Sequence, residues 1–221
     1  MSLPPGPKTT VVRVAVTQAE PAWLNLHEAV DKTCALIEEA ARDKADLVAF
    51  PELWIPGYPA WIWTRPVDFD LLNAYMKNSL VVDSDDMRKI CKCAAQNSIT
   101  VVMSFSENDN HSLYISQCTI GADGNIKMLR RKMKPTHMER TMFGDASGGS
   151  LNNVVQTPLA RVGGLCCWEH IQPLLKYHTY HQREEIHVAA WPPLWPHSGG
   201  TDFWSMSKDG KMSQQMKISS I

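Results

Sequence analysis

The chain has 221 residues, of which 44% are hydrophobic and 20% are charged, as is typical of a globular protein with one domain. A formal net charge of −1 excludes the strongly basic surface that binds nucleic acid or an anionic membrane. No apolar run approaches the roughly 18 residues that a membrane span requires, and the first residues lack the basic and apolar pattern of a secretory signal. We therefore expect a cytoplasmic protein whose residues 1–9 are disordered.

The first half of the chain alternates between strand-like and helix-like segments. Residues 10–18 are β-branched and mostly apolar, which predicts a buried strand. Asn25 opens a capping-box pattern that predicts the start of a helix, and a short apolar strand follows at 45–52. A weakly helical stretch at 69–78 precedes a clearer helix that begins at Ser84, with acidic residues in its first turn.

The second half continues the alternation. Residues 99–107 predict a third strand, and Asp123-Gly124 between two strand-like runs predicts a hairpin. The remaining predicted elements are strands within 154–168 and at 186–192, and a helix at 173–182. This order predicts an α/β domain with mixed sheets.

Six cysteines bear on the compartment and on metal binding: Cys34, Cys91, Cys93, Cys118, Cys166 and Cys167. The cytosol keeps thiols reduced, so a disulfide framework is not expected. A zinc site is not expected either, because Cys91 and Cys93 lie in a helical pattern with no second ligand pair at zinc-finger spacing. Most of these side chains are expected to fill the core, which leaves the adjacent pair Cys166 and Cys167 as candidates for chemistry.

Chemically useful side chains follow three of the predicted strands. Glu52 lies at the end of the predicted strand 45–52, and Cys167 lies at the end of the strands predicted within 154–168. Between them, the basic run 129–140 carries Lys132 and Lys134. Each alone also fits a structural role, as a solvated carboxylate, a solvated basic surface or an inert thiol. Together they supply a thiol nucleophile, a proton acceptor and a positive group that stabilises developing charge. The combination predicts a site for nucleophilic catalysis.

The three segments read FPELWIPGYP, RRKMKPTHMER and LCCWEH in chain order. In this combination they resemble the signature motifs of the nitrilase branch of the carbon–nitrogen hydrolase superfamily, and the resemblance runs from about residue 11 to about residue 207. Histidine after Cys-Trp-Glu is similar to organic nitrilases, whereas fungal cyanide hydratases typically have asparagine there. The resemblance implies an α-β-β-α sandwich whose protomers pair into homo-oligomers. It also implies a small nitrile as the partner and no metal or organic cofactor.

The resemblance also assigns catalytic roles. Cys167 matches the nucleophile, Glu52 the general base, Lys132 the catalytic lysine and Glu139 a second glutamate at the site. Lys134 remains an alternative to Lys132, because the two lie only two residues apart. The implied reaction passes through a thioimidate and a thioester to the carboxylic acid and ammonia, with release of the amide as a side branch.

Five residues are assigned to the substrate pocket: Trp54, Tyr58, Trp168, His170 and Trp191. Four aromatic residues follow Glu52 within twelve positions: Trp54, Tyr58, Trp61 and Trp63. They fit either an apolar wall that binds a hydrophobic nitrile or packing in the core or at a subunit interface. His170 fits either a role in orienting the nucleophile loop or a purely structural one.

The resemblance fades near the end of the chain, where residues 209–221 diverge from the family pattern. We therefore expect residues 1–221 to form a single truncated domain that lacks the last strands and the C-terminal segment of the sandwich. Three functions stay open. The first is a nitrilase acting on an aromatic or arylaliphatic nitrile, and the second is an amidase or cyanide hydratase of the same superfamily. The third is an inactive fragment that only associates with full-length relatives.

Overall fold

The computed structural model describes residues 11–65 and 67–192, together with the backbone of residues 217–220. The expected disorder of residues 1–9 lies outside the described residues, as does the divergent tail at 209–221 apart from that short backbone stretch. Within the described part, no helix has both the length and the apolar character needed to cross a membrane.

Five strands form the first sheet, and their order across it is β1 (Val14–Val16), β2 (Leu47–Ala49), β3 (Thr100–Asp109), β4 (Ser112–Ile120) and β5 (Ile126–Arg131). The first three strands run parallel, because helical segments connect them. β3, β4 and β5 are joined as two antiparallel hairpins. The predicted strands are thus confirmed, although β1 and β2 are shorter than their apolar runs.

Two tight turns set the direction of β4 and β5. Asn110 and His111 have left-handed backbone (φ 49° and 68°), as a two-residue hairpin turn between β3 and β4 requires. The next turn contains Gly124 at φ 77°, which confirms the hairpin predicted from Asp123-Gly124. β5 therefore returns along β4, and the N–H of Lys132 extends this ladder by donating to Ile115 O (2.7 Å).

Four strands form the second sheet: β6 (Val154–Gln156), β7 (Arg161–Cys166), β8 (Ile186–Ala190) and β9 (Lys217–Ser220). β7 and β8 run parallel, and the other neighbouring pairs run antiparallel. A parallel pair requires a crossover connection, and here it consists of a 3-10 turn at Cys167–Ile171 followed by a helix.

The four α-helices are α1 (Leu26–Arg42), α2 (Phe69–Lys77), α3 (Asp85–Gln96) and α4 (Pro173–His181). The side chain of Asn25 accepts the N–H of Glu28, and that of Ser84 accepts the N–H of Met87, so both predicted helix starts are confirmed. These caps satisfy backbone donors that the first helical turn leaves without partners.

One hydrophobic core joins the two sheets. It contains Ile37 of α1, Val101 of β3 and Val162 of β7 in a single cluster, so the sheets pack face to face and α1 and α3 cover the outer side of the first. α4 lies beside the second sheet, where Asn153 Nδ2 donates to the hydroxyl of Thr179 (3.0 Å). The layers confirm the predicted α-β-β-α sandwich.

Candidate active site

A buried lysine lies between two buried carboxylates. Nζ of Lys132 donates to Oε1 of Glu52 (2.9 Å) and to Oε2 of Glu139 (2.7 Å). All three side chains are about 1% exposed. The ammonium thus contacts two carboxyl groups away from water, where electrostatic interactions are much stronger than at the surface.

Backbone contacts hold each of these side chains in place. Glu52 lies just beyond the end of β2, and its N–H donates to Trp191 O (3.2 Å). Glu139 lies in a 3-10 turn at His137–Thr141 and caps it, because its Oε2 accepts the N–H of Thr136 (2.7 Å). The site therefore gathers segments that are 80 residues apart in the chain.

Cys167 is the first residue of the 3-10 turn that follows β7, and it is 5% exposed. Its φ of 47° is left-handed, which for a residue with a side chain costs about 1–3 kcal/mol and persists only where the surroundings fix it. The N–H of Trp168 faces its sulfur. The neighbouring Cys166 is fully buried in the core between the sheets. The two adjacent thiols thus have different surroundings.

The charges of the site act on one another. Burial raises the pKa of the Cys167 thiol, Glu52 and Glu139 raise it further, and Lys132 opposes them. The resting side chain is therefore a thiol rather than a thiolate. Burial also raises the pKa of Glu52 to about 8, against the charge of Lys132. Burial lowers the pKa of Lys132, but the two carboxylates outweigh it and hold this pKa well above its ordinary value.

Lys134, the alternative lysine, lies at the surface. Its ammonium forms an ion pair with Asp145, and its side chain is 66% exposed. Lys132 is the lysine that contacts both glutamates of the site.

The family model for carbon-nitrogen hydrolases matches residues 13–211. The chain belongs to the carbon–nitrogen hydrolase family. Among curated proteins it is similar to an arylacetonitrilase of Aspergillus niger, with 65% identity over 202 residues that cover 91% of this chain and 60% of that protein. It is also similar to an arylacetonitrilase of Hypocrea virens, with 64% identity over 200 residues that cover 90% of this chain and 61% of that protein. The chain thus spans about 60% of the length of these relatives.

Solved structures of carbon–nitrogen hydrolases share the fold at low sequence identity. A variant of the nitrilase-superfamily amidase of Nesterenkonia AN1 has a TM-score of 0.66 at 15% identity, covering 87% of this chain and 69% of that chain. A carbon-nitrogen hydrolase of Helicobacter pylori G27 has a TM-score of 0.65 at 18% identity, covering 86% and 63%. At these identities the likeness establishes the architecture.

A second buried ion pair in this member of the carbon–nitrogen hydrolase family links β5 to the turn that carries Cys167. Arg130 donates to both carboxylate oxygens of Glu169 (2.8 and 2.6 Å), which also accept the N–H groups of Met133 (2.9 Å) and Cys166 (2.8 Å). Burial raises the pKa of Glu169, but Arg130 outweighs burial and holds it below its ordinary value. Sequence reasoning did not single out this pair, although both residues lie inside the quoted motifs.

The five residues assigned to the substrate pocket have different surroundings. Tyr58 is buried at the site, where its hydroxyl donates to Oε1 of Glu139 (3.2 Å). Trp54 is 1% exposed in the core, and its indole N–H donates to the hydroxyl of Thr33 in α1 (2.8 Å), as the packing alternative predicts. The structure therefore separates these two aromatic side chains.

The other three lie around the turn that carries Cys167. The ring of His170 stacks on that of Trp191 (centroids 5.2 Å apart), and its Nδ1 lies 2.6 Å from Cys167 O. Trp168 is 45% exposed. It faces an open groove of about 690 Å³ whose lining also includes Met133, Lys134, Thr136, His137, Gln172, Leu174, Leu175 and His178. The groove borders the site, but the side chains of the four central residues do not line it; these are Glu52, Lys132, Glu139 and Cys167.

Among the residues that the structure describes, no group of three or more histidine, cysteine, aspartate or glutamate side chains is arranged to hold a metal ion. The ammonium of Lys132 occupies the space between Oε1 of Glu52 and Oε2 of Glu139.

Proposed function

We propose that this chain provides the catalytic site of a nitrilase that hydrolyses an arylaliphatic nitrile to the carboxylic acid and ammonia. The observation that carries the proposal is the buried Lys132 between Glu52 and Glu139, three groups whose charges act on the thiol of the left-handed Cys167. Support for the substrate class comes from the arylacetonitrilases at 65% and 64% identity.

In the first step, the sulfur of Cys167 attacks the nitrile carbon. Glu52 takes the thiol proton, which its pKa of about 8 suits it to do near neutral pH. The nitrile nitrogen then receives this proton from Glu52, so Glu52 is ionised again and the product is a neutral thioimidate bonded to the enzyme through sulfur. Lys132 stabilises the negative charge that develops on nitrogen, an effect worth about 3–4 kcal/mol for a good donor in acyl transfer.

In the second step, water adds to the thioimidate carbon with Glu52 as base. Expulsion of ammonia leaves a thioester, and a second water then releases the carboxylic acid and restores the thiol. Expulsion of the thiol from the first tetrahedral intermediate gives the amide instead. Oε2 of Glu139 accepts a hydrogen bond from Lys132 on the side away from Glu52, which fixes the ammonium between the two side chains.

For the aromatic part of the nitrile, we propose contacts with Tyr58, Trp168, His170 and Trp191. Tyr58 borders Glu139, and the other three surround the turn that carries Cys167. Flat, apolar side chains of this kind suit a phenyl ring. Trp54 would support Glu52 from the core side through its packing on Phe50 (centroids 5.4 Å apart).

The decisive experiment measures ammonia release from phenylacetonitrile by the purified 221-residue chain. We expect turnover that Cys167→Ala abolishes and that Cys166→Ala, the matched control, retains. Parallel assays with phenylacetamide and with cyanide separate the amidase and cyanide hydratase alternatives. A folded chain that releases no ammonia from the nitrile would refute the proposal and favour a fragment that only associates with relatives.

A second copy of this chain is the further partner that we propose. Leu174 and Tyr177 are 84% and 70% exposed and lie three residues apart on α4, and Ile171 just before the helix is 55% exposed. An apolar patch of this kind marks a protein interface. Light scattering should give a lower mass for Leu174→Glu than for Val81→Glu, a control at an exposed apolar residue elsewhere. Equal masses would contradict this interface.

We also propose a cytoplasmic location. All six cysteines are free thiols, and five of them are buried, which suits a reducing compartment. Fluorescence microscopy of the tagged protein tests this, and a signal in a membrane-bounded organelle would contradict it.

A further inference from the structure

Three side chains beyond the central four form a continuous hydrogen-bonded unit that ends on the nucleophile. Nδ1 of His170 lies 2.6 Å from Cys167 O, and Nε2 of His170 lies 2.9 Å from Nε2 of His187. Nδ1 of His187 lies 2.7 Å from Oε2 of Glu184. His187 and Glu184 are buried. We call His170, His187 and Glu184 the His-His-Glu unit.

The number of protons fixes the direction of these bonds. A carbonyl oxygen only accepts, so Nδ1 of His170 must carry a proton. Burial lowers the pKa of His170 to about 4, so its ring is neutral and its Nε2 accepts the N–H of His187. The last bond then needs a proton of its own, shared between His187 and Glu184. Three bonds thus use three protons, one more than two neutral imidazoles and a carboxylate supply.

A glycine in the neighbouring strand makes room for the unit. Gly163 of β7 pairs with His187 of β8. A Cβ on Gly163 would lie 2.1 Å from Oε2 of Glu184, the oxygen that faces His187. Real Cβ atoms essentially never approach so closely. The carboxylate therefore reaches His187 only because residue 163 lacks a side chain.

The unit contacts Cys167 directly and reaches Glu52, the base of the proposed reaction, through Trp191. Its bond to Cys167 O restrains the left-handed residue (φ 47°). The ring of His170 also stacks on Trp191, whose carbonyl accepts the N–H of Glu52. The other charged groups acting on His170 are Glu169 and Lys176.

We infer that His170, His187 and Glu184 are positioning residues that hold the backbone of Cys167 at a fixed place relative to Glu52. Glu184 and His187 fix the tautomer of His170, and His170 donates to the Cys167 carbonyl. The inference rests on the nucleophilic role of Cys167 proposed above. None of the three side chains takes part in bond making or breaking.

Two substitutions at one position test the unit. Glu184→Gln supplies the third proton from its own amide N–H, so every bond of the unit can form. Glu184→Ala removes the last partner and leaves the tautomer of His170 unfixed. Gly163→Ala should act like Glu184→Ala, because it displaces the carboxylate while both histidines remain. His181→Ala, at an exposed position of α4, is the matched control.

Two readouts need no substrate. Imidazole nitrogen shifts in NMR should show His170 of the original chain protonated on Nδ1 alone, and Glu184→Gln should keep this pattern. Hydrogen exchange of the Trp168 amide, which faces the Cys167 sulfur, should be about tenfold faster in Glu184→Ala and unchanged in Glu184→Gln and His181→Ala. These measurements judge the unit even if the chain releases no ammonia.

With an active chain, kcat should fall about tenfold to a hundredfold in Glu184→Ala, with KM within about threefold. Glu184→Gln should keep kcat. A proton on Nε2 of His170 in the original chain would overturn the inference. So would a Glu184→Gln variant that resembles Glu184→Ala, or a Glu184→Ala variant with unchanged exchange at Trp168.

Discussion

Lys132 donates a 2.9 Å hydrogen bond to Oε1 of Glu52, while Oε2 of the same carboxylate has no hydrogen-bond partner in the described part of the chain. A buried oxygen without a donor favours the protonated form of the carboxyl group. Burial accordingly raises the pKa of Glu52 to about 8. The same side chain is thus anchored through one oxygen and able to bind a proton at the other.

The pH dependence of turnover follows from this pKa. Glu52 accepts a proton only when it is ionised, so we expect kcat/KM for the nitrile to rise with pH and to reach half of its plateau near pH 8. Glu52→Gln keeps an oxygen for Lys132 but cannot take the proton, and its activity should be lost at every pH. A rising limb centred near pH 4.5 would show that the pKa of Glu52 is not raised in the folded chain.

Stability should respond to pH through the same carboxyl group. Its pKa rises from 4.5 to about 8 on folding, so its contribution is fully present below pH 4.5 and is lost as the pH rises through 8. The loss amounts to at most about 1.4 kcal/mol per pH unit. Glu52→Gln does not titrate, so its free energy of unfolding relative to the original chain should increase between about pH 5 and pH 8. Urea denaturation measures this, with exposed Glu38→Gln as control, and a constant difference would contradict it.

The two lysines of the basic run should differ sharply. Lys132→Met leaves two buried carboxylates without their cation and removes the stabilising charge, so ammonia release should fall about a hundredfold or more. Lys134→Met loses only a surface ion pair and should stay within about threefold. Steady-state assays of both variants at one pH provide the comparison. Equal losses would argue against the assignment of Lys132.

The ion pair between Arg130 and Glu169 should matter for stability. Glu169→Gln leaves the Arg130 guanidinium buried without a counter-charge, which costs about 3–5 kcal/mol. The double variant Arg130→Met with Glu169→Gln removes both charges and should cost less than the sum of Arg130→Met alone and Glu169→Gln alone. Urea denaturation of the single and double variants gives the coupling. Additive costs would mean that the two side chains act independently.

Much of the fold could be predicted because its signals are local. Asn25 and Ser84 cap helices through donors three residues away, and the Asp123-Gly124 turn lies between its own strands. The apolar runs overestimated the lengths of β1 and β2, because a strand ends where its backbone pairing ends rather than where its hydrophobic residues end.

The candidate site was predictable as a set of residues but not as a set of contacts. The side-chain partners of Lys132 lie 7 and 80 residues away, and Arg130 meets Glu169 across 39 residues. No periodicity encodes such pairings. The aromatic residues illustrate the same limit, since composition could not tell that Trp54 faces the core and Tyr58 faces Glu139.

The bond between Lys132 and Glu139 joins two residues that lie seven positions apart. The ion pair therefore closes the intervening chain into a loop. The hydrogen bond from the Thr136 N–H to Glu139 lies within this loop and stabilises it. Residues 133–137 of this loop line the groove beside Trp168. Substitution of their side chains can reshape the groove, but an insertion or deletion would separate Lys132 from Glu139. Redesign of this loop must therefore preserve its length.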